Sequence, residues 1–349
     1  MRTLVVSDLH LGVRGERARL EDPRARTALR AAAEGADRLI LLGDVLEFRQ
    51  GPSRDALAAA SRVLPGVAET LGPGREVVIV PGNHDHQLLS AWAGRRAADG
   101  PPEPLGLASA VDWREGEPLA ALAGLLGSAG ATVTASYPGV WLREDVYATH
   151  GHYLDRRTTV PAFERLGAGV MARILGRPLG EIAGADDYEA VLAPIYAWMY
   201  ASAQAMHNGR EPGGSDRLWQ RIRDAQGARR AGWDAGVAAV VGALNAARIG
   251  PLRRELSPAE FRRAGLVAFG GVLESLAAAP AYAIFGHTHR AGPLAADDPE
   301  EWRAPTGAKL FNSGCWLHDP DGEADSPYRA GFAVELDDDG PPRLVNLLD

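Results

Sequence analysis

Five short aliphatic runs in this chain each stop at a polar residue that can bind a proton or a cation. Leu4-Val5-Val6 leads to Asp8, Leu39-Ile40-Leu41-Leu42 to Asp44, Val77-Val78-Ile79-Val80 to Asn83, Val146-Tyr147-Ala148 to His150, and Tyr282-Ala283-Ile284-Phe285 to His287. Runs this short and this uniformly apolar read as strands buried on both faces. Stretches with helical spacing, residues 24–35 and 54–71, separate the first three and give a β-α-β-α-β rhythm. The fold class is therefore α/β. In open α/β sheets sites collect at the carboxyl ends of strands, where all five polar residues fall.

The stretch from about 155 to 276 has a different texture. Residues 188–207 and 215–249 carry helical spacing, punctuated by Gly176-Arg177-Pro178, Glu211-Pro212-Gly213-Gly214 and Gly250-Pro251. Ser257-Pro258-Ala259-Glu260 has the form of a capping box with Pro at the first helical position. We expect a helical insertion, serving as a lid, at 155–276 within a domain formed by 1–154 and 277–349. Strand character resumes at Lys309-Leu310-Phe311, at 332–336 and at Arg343-Leu344-Val345, which should close the sheet or a second sheet. The Pro- and Gly-bearing stretch 94–118 reads as a surface excursion.

Composition narrows the choices of partner and compartment. The net charge is −8 and Lys309 is the only lysine, so no basic face exists to track nucleic acid, and double-stranded nucleic acid is disfavoured. The single cysteine, Cys315, excludes an intramolecular disulfide or a thiolate zinc cluster and fits a reducing cytoplasm. The N-terminus reaches Asp8 before a signal-peptide apolar core can form, and no apolar run long enough to span a bilayer follows, so no membrane span is expected. Peripheral contact with a membrane stays open.

Seven of the nine histidines, His10, His84, His86, His150, His152, His287 and His289, sit in short clusters at the expected strand ends; only His207 and His318 lie elsewhere. In Asp8-Leu9-His10 an extended backbone points residues 8 and 10 the same way, so a carboxylate and an imidazole converge. Gly286-His287-Thr288-His289 repeats that spacing with two imidazoles, and Gly43-Asp44 offers a carboxylate on a sharp bend, as a ligand bridging two cations requires. Mixed Asp, Asn and His ligation without thiolate suits Mn, Fe or Zn better than Ca. Two such ions roughly 3.5–4 Å apart can polarise a phosphoryl group and acidify a shared water.

Taken in order, Asp8-Leu9-His10, Gly43-Asp44, Gly82-Asn83-His84-Asp85, Thr149-His150-Gly151-His152 and Gly286-His287-Thr288-His289 resemble the motifs of the calcineurin-like metallophosphoesterase superfamily. The resemblance covers about residues 1–90 and the flanks of His150 and His287. It implies a four-layered α/β/β/α fold with two divalent metal ions, one on Asp8, His10, Asp44 and His289, the other on Asp44, Asn83, His150 and His287. It also implies a metal-bridging hydroxide as nucleophile, and His84 as general acid with Asp85 orienting its imidazole. The Asp8 and Asp44 motifs further resemble the bacterial UDP-2,3-diacylglucosamine pyrophosphatase branch, whose members cleave a lipid-linked pyrophosphate.

The expected function is hydrolysis of a phosphomonoester, phosphodiester or pyrophosphate in a small anionic substrate, with a lipid-linked nucleotide as one alternative and a non-catalytic metal-binding scaffold as another. Arg156, Arg157 and His152, beside the His150 motif, are the candidates for substrate contact. Arg14 and Arg17 read as solvated ion pairs, Glu47 and Cys315 as structural, and His207 and His318 as uninvolved. The run Ile195-Tyr196-Ala197-Trp198-Met199-Tyr200, with Met206, reads as insertion core, with a lipid groove as the rival.

Overall fold

A computed structural model describes residues 1–98, 100–159, 163–174, 176, 182–205, 242, 245–246, 252, 257–318 and 325–349. Much of 206–256, with Met206, His207 and the punctuation at 211–214 and 250–251, lies outside the described residues. Strands β1 (Thr3–Val6), β2 (Arg38–Leu42) and β3 (Glu76–Val80) are parallel, with Leu4 opposite Leu39 and Leu39 opposite Val77. Helices α1 (Pro23–Ala33) and α2 (Ser53–Leu71) make the crossovers. The Asp22 side chain accepts the Arg24 N–H at the start of α1, with Pro23 in the first turn where a missing N–H costs nothing.

Next come α3 (Ser90–Ala98), β4 (Ala108–Ala110), α4 (Pro118–Gly127), β5 (Thr132–Arg143) and β6 (Val146–Thr149). Then follow α5 (Phe163–Ile174), α6 (Ala185–Ala205), α7 (Pro258–Ser275), β7 (Tyr282–Phe285), β8 (Lys309–Asn312), β9 (Phe332–Leu336) and β10 (Arg343–Asn346). The strands run in the order β10-β9-β1-β2-β3-β5-β6-β7-β8, with β4 also paired to β5. Between β6 and β7 the described elements are helical. Ser257 caps α7 by accepting the Glu260 N–H, as its sequence pattern foretells.

Strand β5 joins two half-sheets. Residues Thr132–Ala135 pair parallel with β3, whereas Gly139–Arg143 pair antiparallel with β6. Pro138-Gly139 in its middle reads as a turn in the sequence, so this strand is not foreseen. The expected surface excursion likewise holds the end of α3 and β4, whose residue Ser109 pairs with Tyr137.

Alternation along the strands sorts side chains into layers. Leu4, Val6, Leu39, Leu41, Val77 and Ile79 meet Leu29 of α1, Leu64 of α2 and Leu122 of α4. Their neighbours Val5, Ile40, Leu42, Val78 and Val80 face Leu142, Val146, Ala148 and Ile284 of the second half-sheet. Tyr147, Ala283, Phe285 and Leu310 then turn outward onto α5, α6 and α7 through Ala168, Tyr188, Leu192, Phe269 and Leu273. The result is an α/β/β/α sandwich. Among the described residues no helix is long and apolar enough to cross a membrane.

Ile40 is fully buried between the two half-sheets. Ile40→Ala should lower unfolding free energy by about 2–5 kcal/mol in urea titrations; a loss under about 1 kcal/mol would mean that the two half-sheets do not share a close-fitting interior.

Candidate metal centre

Asp8 and His10 follow β1, Asp44 follows β2, Asn83 follows β3, His150 follows β6, and His287 and His289 follow β7. Because β1, β2, β3, β6 and β7 end on one edge of the sandwich, all seven residues meet there. Asp8, His10 and His289 form one group, and Asp44, His150 and His287 another, each with candidate ligand atoms within 4.8 Å of one another. Asp44 Oδ2 lies 3.8 Å from His10 Nε2 and 3.2 Å from His150 Nε2, between the groups, where a bridging oxygen belongs.

The backbone is bent to achieve this. Asp8, His10, Asp44, His287 and His289 all have φ between +45° and +66°, a left-handed region that costs a non-glycine residue about 1–3 kcal/mol. Among the described residues only Ala277 joins them. A Cβ on Gly43 would run into the His150 ring, and one on Gly82 would strike Asp44. These motif glycines are therefore clearance for ligand side chains as much as turn formers.

The donor set fits divalent cations. Asn83 Oδ1 stands 3.0 Å from His150 Nε2 and 3.1 Å from His287 Nδ1, and His10 Nε2 faces His289 Nε2 at 3.2 Å. Buried Asp8 Oδ1 has no hydrogen-bond donor and lies 3.2 Å from His289 Nε2. Lone pairs aimed at lone pairs in a dry site are unfavourable unless protons or cations lie between them. Turning the Asn83 amide over would instead place its NH2 among Asp44, His150 and His287 and its oxygen 3.0–3.1 Å from the Arg49 guanidinium nitrogens. A cation held between Asn83 and the histidines would select the oxygen-inward form.

The opposite nitrogen of several ligands is anchored, which fixes ring and tautomer. His150 Nδ1 donates to the Leu42 carbonyl at 3.0 Å, and His287 Nε2 meets Asp155 Oδ1 at 2.9 Å. His10 Nδ1 meets Glu47 Oε2 at 3.0 Å. Burial disfavours the charged forms here, but mutual pairing outweighs it. Asp8 and Glu47 are held below the ordinary carboxylate range, Asp8 by His10 above all and Glu47 by His84 and His10. Asp8, Glu47 and Asp44 push His10 up to about 10, while Asp44 pushes His150 up to about 9.

One expectation about a carboxylate needs correcting. Asp85 does not hold His84: its Oδ1 accepts the Gly82 N–H at 2.7 Å and its Oδ2 those of Val45 and Leu46 at 2.8 and 3.2 Å. It pins two ligand-bearing turns together, and burial, then the charge of Asp44, raises its pKa to about 6. The carboxylate on His84 is that of Glu47, Oε2 to Nδ1 at 2.8 Å, and Glu47 caps no helix. His84 Nε2 is left 4.0 Å from Asp44 Oδ2, close enough for His84 to join His10 and Asp44 as a third possible ligand group. Its side chain is 22% exposed.

The expected substrate contacts are engaged elsewhere. Arg157 donates from Nε to Tyr188 Oη and from its terminal nitrogen to Ser275. Arg156 is buried, and His152 is buried with Nε2 3.0 Å from Tyr137 Oη. His86 Nε2 meets Glu189 of α6 at 2.9 Å, and the same carboxylate accepts from Tyr137 and from Tyr153 at 2.8 Å. Arg49, not foreseen, lies over the Tyr196 ring at 5.0 Å. Arg14 pairs with Asp55 at 3.7 Å, His318 gives only its backbone N–H to Arg17, and Cys315 is buried. On α6, Ile195 and Tyr196 are buried, Ala197 and Trp198 are exposed and Met199 and Tyr200 are half-buried, so the run lies only partly in the interior.

The sequence profile of the calcineurin-like phosphoesterases matches residues 1–198. No curated protein matches the chain. Among solved structures, a dimetal phosphatase from Danio rerio aligns over 99% of both chains at 13% identity with a TM-score of 0.38. A second aligns over 99% of this chain and 98% of its own at 13% identity with a TM-score of 0.32. Scores this low carry no weight on fold or activity.

If Asp44 bridges, elemental analysis of purified protein should find two divalent ions per chain, and fewer than one in Asp44→Ala with an unchanged circular dichroism spectrum. Two ions retained in the variant would remove the bridging assignment.

Proposed function

The chain belongs to the calcineurin-like phosphoesterase family, and on that premise we propose that it hydrolyses a phosphoester or pyrophosphate bond of a small anionic substrate at a dinuclear centre. The observation that carries this reading is Asp44 Oδ2, set between two groups of ligand atoms. Bound there, two divalent cations of the Mn, Fe or Zn type supply Lewis acidity and an activated water.

The chain's own groups have separate tasks. His84 is the proton donor to the leaving oxygen: Glu47 holds its Nδ1, so Nε2 is the free end, and its side chain remains accessible among buried neighbours. Its backbone N–H donates to Asp44 Oδ1 at 2.7 Å, which ties the donor's position to the bridging carboxylate. An imidazole held by a carboxylate keeps its tautomer and ring orientation, as directed proton donation from Nε2 requires. Arg49, with both terminal nitrogens directed at the Asn83 amide, takes the place of Arg156 and Arg157 as the guanidinium suited to a phosphoryl oxygen. A scaffold that merely holds metal has no use for the His84–Glu47 pair.

Metal-stripped protein resupplied with Mn, Fe, Zn or Mg should hydrolyse an aryl phosphomonoester, an aryl phosphodiester or a nucleotide pyrophosphate. His84→Ala should lower kcat about 10²–10⁴-fold while both ions remain bound. Absence of turnover on all three with two ions in place would sink the hydrolase reading in favour of the scaffold.

A further inference from the structure

Beside His287 the protein forms an open-sided cavity of about 220 Å³. His287, Thr288 and Asp155 form the end next to the metal centre, and α7 forms one wall with Phe261, Gly265 and Leu266. Leu154, Phe285, Trp302 and Tyr328 line the remainder. Sites that hold a whole drug-sized ligand span about 300–1,000 Å³, so this one suits part of a molecule, about one or two fused rings.

Its chemistry narrows the occupant further. Two arginines border it, but Arg290 is paired with Asp297 at 2.6 Å, and Arg262 with Glu301 at 2.7 Å. Asn312 donates to the Gly286 carbonyl and to Thr288 Oγ1 and accepts from the Gly314 N–H, so its amide is fully engaged. Asp155 Oδ1 is committed to His287. The cavity thus presents chiefly aliphatic and aromatic faces, with both arginines paired and only the buried Asp155 Oδ2 and Trp302 Nε1 lacking a hydrogen-bond partner, an environment for an uncharged ring held by stacking and burial.

We propose that this cavity receives the aromatic part of the substrate's leaving group, so that the chain prefers phosphoesters of aromatic alcohols to those of small alkyl alcohols. The proposal rests on the hydrolase reading above, and it adds the substrate class. His287 joins the two sites: its Nδ1 faces Asn83 in the metal centre, and the residue itself lines the cavity. A ring seated there lies within one side chain of the ions.

Gly265 supplies the test. A Cβ at this position meets nothing closer than Thr288 Cγ2 at 3.7 Å, an ordinary contact, so larger side chains enter the cavity from the helix without forcing the backbone apart. For Gly265→Leu, kcat/KM for 1-naphthyl phosphate should fall about tenfold or more, the scale on which a pocket discriminates by size. The value for trifluoroethyl phosphate should stay within about twofold. Gly265→Ala, the milder change, should keep the fold and shift the same ratio in the same direction by less.

Binding of 1-naphthol to the metal-loaded protein, followed by tryptophan quenching, reads the cavity without the reaction. Saturable binding in the wild type that is lost in Gly265→Leu supports the cavity even if no ester is turned over, a result that would overturn the hydrolase reading alone. Naphthol binding and ester preference both unchanged in Gly265→Leu would overturn the cavity assignment and leave the hydrolase reading standing.

Discussion

Seven acceptor-bearing side chains aimed at one another in a dry site are the feature on which the rest of this structure depends. Carboxylates, an amide oxygen and imidazole nitrogens at 3.0–3.8 Å repel unless cations or protons lie between them. The chain is organised around that demand. Five of the seven ligands have left-handed backbone, and Gly43 and Gly82 leave room for rings and carboxylates to cross. Strain of this kind persists only when the surroundings over-determine it. Here they do, because β1, β2, β3 and β7 are almost wholly buried and fix the chain where it enters each ligand turn.

The supporting carboxylates divide the work according to what they touch. Asp85 meets three backbone N–H groups and holds the turns after β2 and β3 in one body. Glu47 and Asp155 meet imidazoles and set which nitrogen faces the ions. The electrostatics follow the same division. Burial and the nearby Asp44 raise Asp85, whereas His84 and His10 lower Glu47 despite equal burial. A carboxylate kept ionised beside two histidines can brace them; one drawn upward beside another carboxylate is better matched to neutral backbone donors.

All seven proposed ligands are legible in the sequence, because buried strands leave a plain mark, an aliphatic run, and the ligands stand at its end. The two-half-sheet arrangement is less so. Strand β5, which joins the halves, carries Pro138-Gly139 at the point where it passes from β3 to β6, and local composition there speaks for a turn. The histidine partners of Glu47 and Asp155 are not legible for a different reason. Each acts through a partner distant in sequence, His84 and His287 respectively, and nothing within a few residues announces the pairing. The resemblance set Asp85 against His84, whereas its carboxylate turns to the Gly82, Val45 and Leu46 N–H groups.

Among the described residues between β6 and β7, helix α6 is joined to the site by hydrogen bonds and ring contacts. Glu189 of α6 is half-buried with His86, Tyr137 and Tyr153 around it, and its carboxyl stays below its ordinary range although burial acts the other way, because His86 and both tyrosines bond to it. Tyr196, two turns on, lies under Arg49, and Tyr200 meets Phe48 edge to face. Moving α6 away would leave a half-buried carboxylate and its donors unpaired, at about 1–3 kcal/mol for each unsatisfied group. Helix α6 is thus a fixed wall. With α7 forming the far side of the cavity at His287, the walls on either side of the metal-ligand residues are set by packing, and on the proposed reading selection among substrates would fall to their shape.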